Sequence, residues 1–136
     1  MNEEEMQKYF PEKYPKMFVG KYGGVAVGAG WFNILDQLCE NIQSHINWQN
    51  TRVPNSCRQV EIEQIKEKFG SLRFYYQGGD EYIMGLVSMA ESMTEVTCES
   101  CGNPGKTRQG GWVHVSCDAC DASREEAKLL REGFEQ

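Results

Sequence analysis

Apolar residues recur at helical spacing between residues 31 and 47. They fall three or four positions apart, which places them on one face of an α-helix. We therefore predict an amphipathic helix over residues 31 to about 47, with its apolar face in the core. Cys39 lies on that face and is predicted to be buried as a small apolar residue, while His45 lies beside it and is predicted to be a hydrogen-bonded residue rather than a ligand or base. The face is defined by Trp31, Ile34, Leu35, Leu38, Ile42 and Ile46.

Between residues 60 and 76 the spacing of apolar residues changes to two, which is typical of β-strands. Apolar and polar residues alternate over residues 60–63 and again over 72–76, with a turn at 69–71 between the two runs. This pattern predicts a β-hairpin. The alternation slips at residues 64–65, where we predict a bulge, and the polar, proline-containing segment 49–56 is predicted to be the preceding loop.

Three further helices are predicted from caps and periodicity. A short helix over residues 2–9 should stop before Pro11, because the residue that precedes a proline is disfavoured in a helix. Asp80 is a good N-cap for a helix over 81–95, and a capping box predicts a last helix over 124–132. Three methionines of the helix over 81–95 are predicted to fill gaps in the core: Met84, Met89 and Met93.

These elements together predict an α+β fold, with two core helices packed on a small antiparallel sheet. A chain of 136 residues with 40% hydrophobic residues has enough apolar surface for one modest core. We divide the chain into an α+β core over residues 1–96 and a zinc-ribbon-like module with a short final helix over 97–136, packed as one compact unit. Within the module, residues 112–116 are predicted to form a short strand.

Four cysteines in the module form two Cys-x-x-Cys pairs, separated by residues 102–116. Paired cysteines at such spacing are typical of tetrahedral zinc sites. A site with four cysteine ligands has no open position for substrate or water, so the predicted role of Zn²⁺ is structural. His114 lies near the second pair and is predicted to be a strand residue or a hydrogen-bonding neighbour rather than a ligand. The predicted ligands are Cys98, Cys101, Cys117 and Cys120.

A disulfide framework is the alternative interpretation of these cysteines. It would require export, yet the N-terminus is acidic where a signal peptide is basic, and no membrane-spanning stretch follows. We therefore expect a cytoplasmic protein with reduced thiols. Cys57 is predicted to begin a strand and to be buried.

The charge balance bears on the class of partner. The chain has 14 basic and 20 acidic residues and a formal net charge of −6. In residues 95–121 the basic residues are Lys106 and Arg108, against four acidic ones. This acidity argues against a nucleic-acid surface, which needs basic residues to neutralise phosphates.

Catalytic motifs do not occur in the sequence. There is no His-Glu-x-x-His, no Gly-x-Ser-x-Gly and no Walker glycine-lysine motif, and the glycines of residues 20–30 lack dinucleotide-binding spacing. We therefore predict that the protein is not an enzyme.

The glycine-rich segment before the helix at residue 31 suggests one candidate ligand site. Free N–H groups at a helix start attract anions, and nearby cations and aromatic rings would bind a nucleotide-like molecule or an acidic partner. The alternative, which we favour for the glycines themselves, is a tight turn and close packing. The candidate residues are Lys21, Tyr22, Gly28, Gly30, Trp31, Lys68, Arg73 and Tyr75.

Four motifs together carry a resemblance to known proteins. They are the Gly-Trp-Phe helix start at residues 30–32, Lys-Phe-Gly-Ser-Leu-Arg-Phe-Tyr at 68–75, Gly-Gly-Asp at 78–80 and the paired cysteines. The resemblance spans residues 14 to 120 and is to a family of small uncharacterised bacteriophage and prophage proteins. It implies a phage gene product that acts in an infected or lysogenic bacterium, but no catalytic residues.

Because small accessory phage proteins often block host components, this setting favours a non-enzymatic binder that sequesters or blocks part of a host defence. The expected partner is a host protein or a small anionic, nucleotide-like signal. The alternative is a zinc-ribbon protein that binds nucleic acid or regulates transcription.

Overall fold

The computed structural model describes residues 1–20 and 22–134 and confirms the α+β class. A 3-10 turn (Ala29–Trp31) leads directly into the longest of the described helices. The helices are α1 (Glu3–Lys13), α2 (Phe32–Arg52), α3 (Glu81–Thr94) and α4 (Asp118–Phe134). The strands are β1 (Val25–Ala26), β2 (Glu61–Lys68), β3 (Ser71–Gln77), β4 (Lys106–Arg108) and β5 (His114–Ser116).

The main sheet has the order β1-β2-β3. Strands β2 and β3 form the predicted antiparallel hairpin, and the register shifts between Ile62 and Gln64, close to the predicted bulge. The sequence did not predict β1, which pairs in parallel with β2 through Val25 and Ile65. The sheet is therefore mixed rather than purely antiparallel.

Side chains cover both edges of this sheet. On the free side of β1, the side-chain amide of Gln7 in α1 accepts from the Val25 N–H at 3.0 Å and also donates to the Val25 carbonyl oxygen. At β3, the Leu72 N–H donates to Thr94 Oγ1 at 3.1 Å. Edge groups that are satisfied in this way do not present a template for further strands.

The core lies between the helices and one face of the sheet. It includes the predicted apolar face of α2 with Cys39 fully buried, and residues of α1 and α3. Val115 of β5 also belongs to it, so the C-terminal module contributes to the same core. The largest fully buried side chains include Trp31, Phe10, Met6, Met17, Leu35, Ile42 and Ile65.

Helices α1 and α2 both end later than predicted. Helix α1 runs to Lys13 with Pro11 inside it, because Phe10 and Tyr14 pack in the core and the proline removes one hydrogen bond near the helix end. Helix α2 extends to Arg52 instead of ending near residue 47, so the connecting loop starts later than predicted. The predicted N-cap Asp80 of α3 is confirmed, and Asn2 caps α1.

The last helix begins six residues earlier than predicted. It starts at Asp118, inside the second cysteine pair, rather than after the predicted capping box at Ser123. Cys117 replaces the usual cap, since its Sγ accepts from the Cys120 N–H at 3.4 Å and its carbonyl oxygen from the Asp121 N–H at 3.0 Å. Among the described residues, no helix is long and apolar enough to cross a membrane.

Candidate metal centre

The four predicted cysteine ligands converge at the base of the C-terminal module. Their Sγ atoms all lie within 4.8 Å of one another, and the Cys101 and Cys117 sulfurs are 3.6 Å apart. Tetrahedral zinc with Zn–S bonds of about 2.3 Å places its sulfurs about 3.8 Å apart. The cluster can therefore hold a metal ion of this kind, with Cys98 buried and Cys101 exposed.

The backbone around each pair holds the sulfurs in place. In the first pair, the Cys98 N–H donates to the Asn103 carbonyl at 2.7 Å and the Gly102 N–H to the Cys98 carbonyl at 2.9 Å. The second pair is fixed by the first turn of α4. The hairpin of β4 and β5 connects the two pairs, with Arg108 donating to Ser116 O at 3.1 Å and to Asp118 Oδ1 at 2.8 Å.

The protonation states of the thiols also favour a cation. Burial opposes ionisation of Cys98, but N–H groups of the two pairs outweigh burial and lower the pKa of its thiol to about 6. Hydrogen bonds to Cys117, Cys101 and Cys98 raise the pKa of the Cys120 thiol to about 12. Four thiolates at this separation therefore need a bound cation to be charged together.

His114 lies next to the cluster and contacts its supporting residues. Its Nδ1 is 3.0 Å from the Trp112 carbonyl oxygen, and its Nε2 is 3.4 Å from Asp121 Oδ1. Asp121 directly follows Cys120. These contacts fit the predicted role as a neighbour that supports the second pair.

The predicted anion site at the glycine-rich segment is wrong in its main feature, because the N–H groups are not free. The Gly28 N–H donates to Glu99 Oε2 at 2.8 Å, and the Gly30 N–H to the Glu99 carbonyl oxygen at 2.7 Å. Burial raises the pKa of the Glu99 carboxyl group, and the Gly28 N–H opposes this shift. The group that occupies this helix start is thus an acidic residue of the module itself.

Trp31 is also not a ligand-stacking residue. Its side chain is fully buried, and its Nε1 donates to the Thr97 carbonyl oxygen at 2.8 Å. Tyr22 is partly buried and packs edge-on against Phe18 with ring centroids 5.4 Å apart. Lys21 lies outside the described residues.

The remaining candidates lie on the hairpin, apart from Gly28 and Gly30. Lys68 ends β2, and Arg73 and Tyr75 lie on β3. The predicted single ligand site is therefore not assembled, because the glycines face the module whereas the cations face outward from the sheet.

The three methionines of α3 are exposed rather than buried, which corrects the sequence interpretation. Met89 and Met93 line an apolar groove of about 320 Å³ between α2 and α3, together with Ile34 and Leu86. The buried residues of α3 are instead Ile83, Val87, Ala90 and Thr94.

Sequence reasoning missed two groupings that depend on distant contacts. Glu99 was not recognised as the partner of the glycines. His45, Cys57 and Asp80 were considered separately, yet their ligand atoms lie within 4.8 Å of one another. Cys57 is buried as predicted but lies in the loop before β2 rather than in a strand.

Comparisons with models of protein families, with curated proteins and with solved structures find no match to this chain.

Proposed function

We propose that this protein is a non-enzymatic binder whose fold is held by a structural Zn²⁺ ion and whose outward hairpin surface binds an acidic partner. We name this surface the hairpin face and define it by Lys66, Lys68, Phe69, Arg73 and Tyr75. The observation that carries the proposal is the conformation and exposure of Phe69.

Phe69 and Gly70 form the two-residue turn between β2 and β3. Both have positive φ, at 54° and 80°, and the Phe69 side chain is 72% exposed. Asn-Gly is strongly preferred in such turns, whereas a bulky residue at positive φ is strained. A strained, exposed aromatic residue adds nothing to the core, so its presence favours a role in recognition.

The charges around Phe69 support the same role. Lys66 and Arg73 are direct cross-strand partners, an arrangement of like charges that is unfavourable unless something else offsets it. Lys66 Nζ lies 5.6 Å from the centroid of the Tyr75 ring, and Lys68 Nζ 5.6 Å from that of Phe69. None of the ion pairs within residues 1–20 and 22–134 involves these three cations.

The hairpin face thus combines available positive charge with exposed aromatic rings on a chain of net charge −6. Such a surface attracts an acidic patch on a partner protein. We favour a host protein as the partner, since the resemblance to phage proteins supports action in the bacterial cytoplasm, where the cysteines stay reduced.

The identity of the metal follows from its donors. Four thiolates at tetrahedral separation are the ligand set typical of structural Zn²⁺. The proposed role of zinc is to fix the two cysteine pairs and, through them, the start of α4.

The test uses tagged protein produced during infection or lysogeny, with bound proteins, nucleotides and nucleic acid identified after purification. Phe69→Asn should lose the partner although it suits the turn better and leaves stability equal or up to about 1 kcal/mol higher. Arg73→Glu should also lose the partner. Lys16→Glu makes the same change of charge at an exposed site outside the hairpin face and should retain it.

Retention of the same partner by both Phe69→Asn and Arg73→Glu would refute the role of the hairpin face. A nucleotide or nucleic acid that co-purifies with the wild type and is lost in these variants would replace the acidic protein as the ligand.

A further inference from the structure

A second group of metal-ligating side chains comes from three separate segments that all precede the C-terminal module. His45 comes from α2, Cys57 from the loop before β2, and Asp80 from the N-cap of α3. His45 Nε2 is 2.7 Å from Asp80 Oδ2, and Cys57 Sγ is 3.6 Å from the same oxygen.

The Asp80 and His45 side chains are each oriented by a contact outside the group. The second carboxylate oxygen of Asp80 accepts from the Ile83 N–H at 3.1 Å, which fixes the direction of Oδ2. The His45 ring is stacked on Tyr82 with centroids 4.2 Å apart.

Hydrogen bonds also fix the backbone of Cys57. Asn50 accepts from the Cys57 N–H at 2.9 Å and donates to its carbonyl oxygen at 3.0 Å. Two hydrogen bonds from a single side chain to one loop residue restrict the position of the sulfur before any ion binds. Such positioning by surrounding hydrogen bonds is characteristic of metal ligands.

We propose that His45, Cys57 and Asp80 form a second metal site, which binds Zn²⁺ or a similar divalent transition ion through one nitrogen, one sulfur and one oxygen. Imidazole, thiolate and carboxylate are all zinc donors, whereas this mixed set does not suit Mg²⁺ or Ca²⁺, which require oxygen ligands.

The two distances to Asp80 Oδ2 fit a zinc site with one small adjustment, and the His45 and Cys57 ligand atoms lie within 4.8 Å of each other. Bonds of about 2.0 Å to nitrogen and oxygen and about 2.3 Å to sulfur place tetrahedral donors about 3.3–3.6 Å apart. The Cys57–Asp80 separation of 3.6 Å already meets this value. The His45–Asp80 separation of 2.7 Å is that of a hydrogen bond and must widen by roughly 0.6 Å as the ion replaces the shared proton.

The site differs from the four-cysteine cluster because it offers three protein ligands. Cys57 is 4% exposed and the His45 side chain 10%, but the Asp80 side chain is 36% exposed, so the site opens to solvent on the Asp80 side. A water molecule is the fourth ligand in this arrangement, which is the coordination pattern of an open rather than a closed zinc site.

The test counts metal ions per folded chain by native mass spectrometry and by metal analysis after removal of loosely bound ions. Wild type should hold two ions, whereas Cys57→Ser and Asp80→Asn should each hold one. Asparagine is as good an N-cap as aspartate, so Asp80→Asn keeps the cap of α3 while it removes the charged donor. Loss of a direct ligand should weaken the second site by more than the ~10–100-fold that loss of an outer hydrogen-bond partner costs.

Cobalt substitution gives an independent readout. Co²⁺ added to protein whose four-cysteine cluster is filled with zinc should give a thiolate-to-cobalt charge-transfer band in the wild type and none in Cys57→Ser. Glu81→Gln removes an exposed acidic side chain next to Asp80 that belongs to neither group of ligands, so this variant should retain the second ion. One ion in the wild type, or a second ion that survives Cys57→Ser or is lost in Glu81→Gln, would overturn the proposal.

Discussion

Gly30→Ala tests whether the glycine-rich segment serves packing. Gly30 lies in the 3-10 turn before α2 and has no positive φ, so alanine is conformationally acceptable there. A Cβ atom at this position would lie 2.2 Å from the Cys98 carbonyl oxygen and 2.6 Å from the Glu99 carbonyl carbon. Both atoms belong to the backbone of the first cysteine pair and cannot rotate away.

The expected cost follows from these distances. Ordinary van der Waals contact begins at 3.4 Å, so the first cysteine pair must move by roughly 1 Å to accept the methyl group. Overpacking of a close contact typically costs about 1–3 kcal/mol. The same movement breaks the hydrogen bond from the Gly30 N–H to the Glu99 carbonyl, which adds about 1 kcal/mol. We therefore expect Gly30→Ala to lower the free energy of unfolding by about 2–4 kcal/mol.

The assay is urea unfolding of the zinc-loaded protein, combined with the rate of zinc loss to a chelator. Gly85→Ala is the matched control, because a Cβ atom there meets nothing within 4 Å and Gly85 lies inside α3. This control should gain about 0.5–1 kcal/mol from the better helix propensity of alanine. A Gly30→Ala protein within about 0.5 kcal/mol of wild type, with unchanged zinc loss, would refute the packing argument.

Two further variants test the metal centre and the ion pair between Lys13 and Asp36. Cys117→Ser should remove one zinc ion per chain in metal analysis and loosen the first turn of α4 in hydrogen exchange. Helices α2 and α3 should stay folded, so most of the helical circular-dichroism signal should be kept. Full zinc content would contradict this prediction. Burial raises the pKa of Asp36, but hydrogen bonds from Tyr14 at 2.6 Å and Lys13 at 3.1 Å outweigh burial and hold it below its usual value. Asp36→Asn should therefore cost about 1–2 kcal/mol at neutral pH, and the difference in urea midpoint should vanish as pH falls through the lowered pKa; a difference that persists in acid would contradict it.

Local patterns were sufficient to predict the elements that bury a regular face. Helix α2 and the hairpin of β2 and β3 expose one polar face and bury one apolar face, so their periodicity is visible in the sequence. Strand β1 has only two residues and follows a glycine-rich segment, so the sequence shows no alternation of apolar and polar residues there. It exists because the Val25 backbone pairs with β2 on one side and with Gln7 on the other.

The candidate site also has one part that local sequence predicts and one part that depends on distant contacts. The spacing of the four cysteines is a local signal, and the structure brings their sulfurs together as predicted. The partner of the glycines could not be found locally, because Gly28 and Glu99 are 71 positions apart. The general rule that a helix start attracts an anion was sound, but a carboxylate of the same chain already satisfies it.

Glu99 connects the metal centre to the core. It lies between Cys98 and Cys101, so the ion that fixes these two sulfurs also fixes the backbone and side chain of Glu99. Through Gly28 and Gly30, that residue in turn holds the turn that starts α2. The indole of Trp31 adds a third connection at the Thr97 carbonyl. The module therefore stabilises the start of the longest described helix as well as its own short hairpin, and this is why two glycines with room for no side chain occur before Trp31.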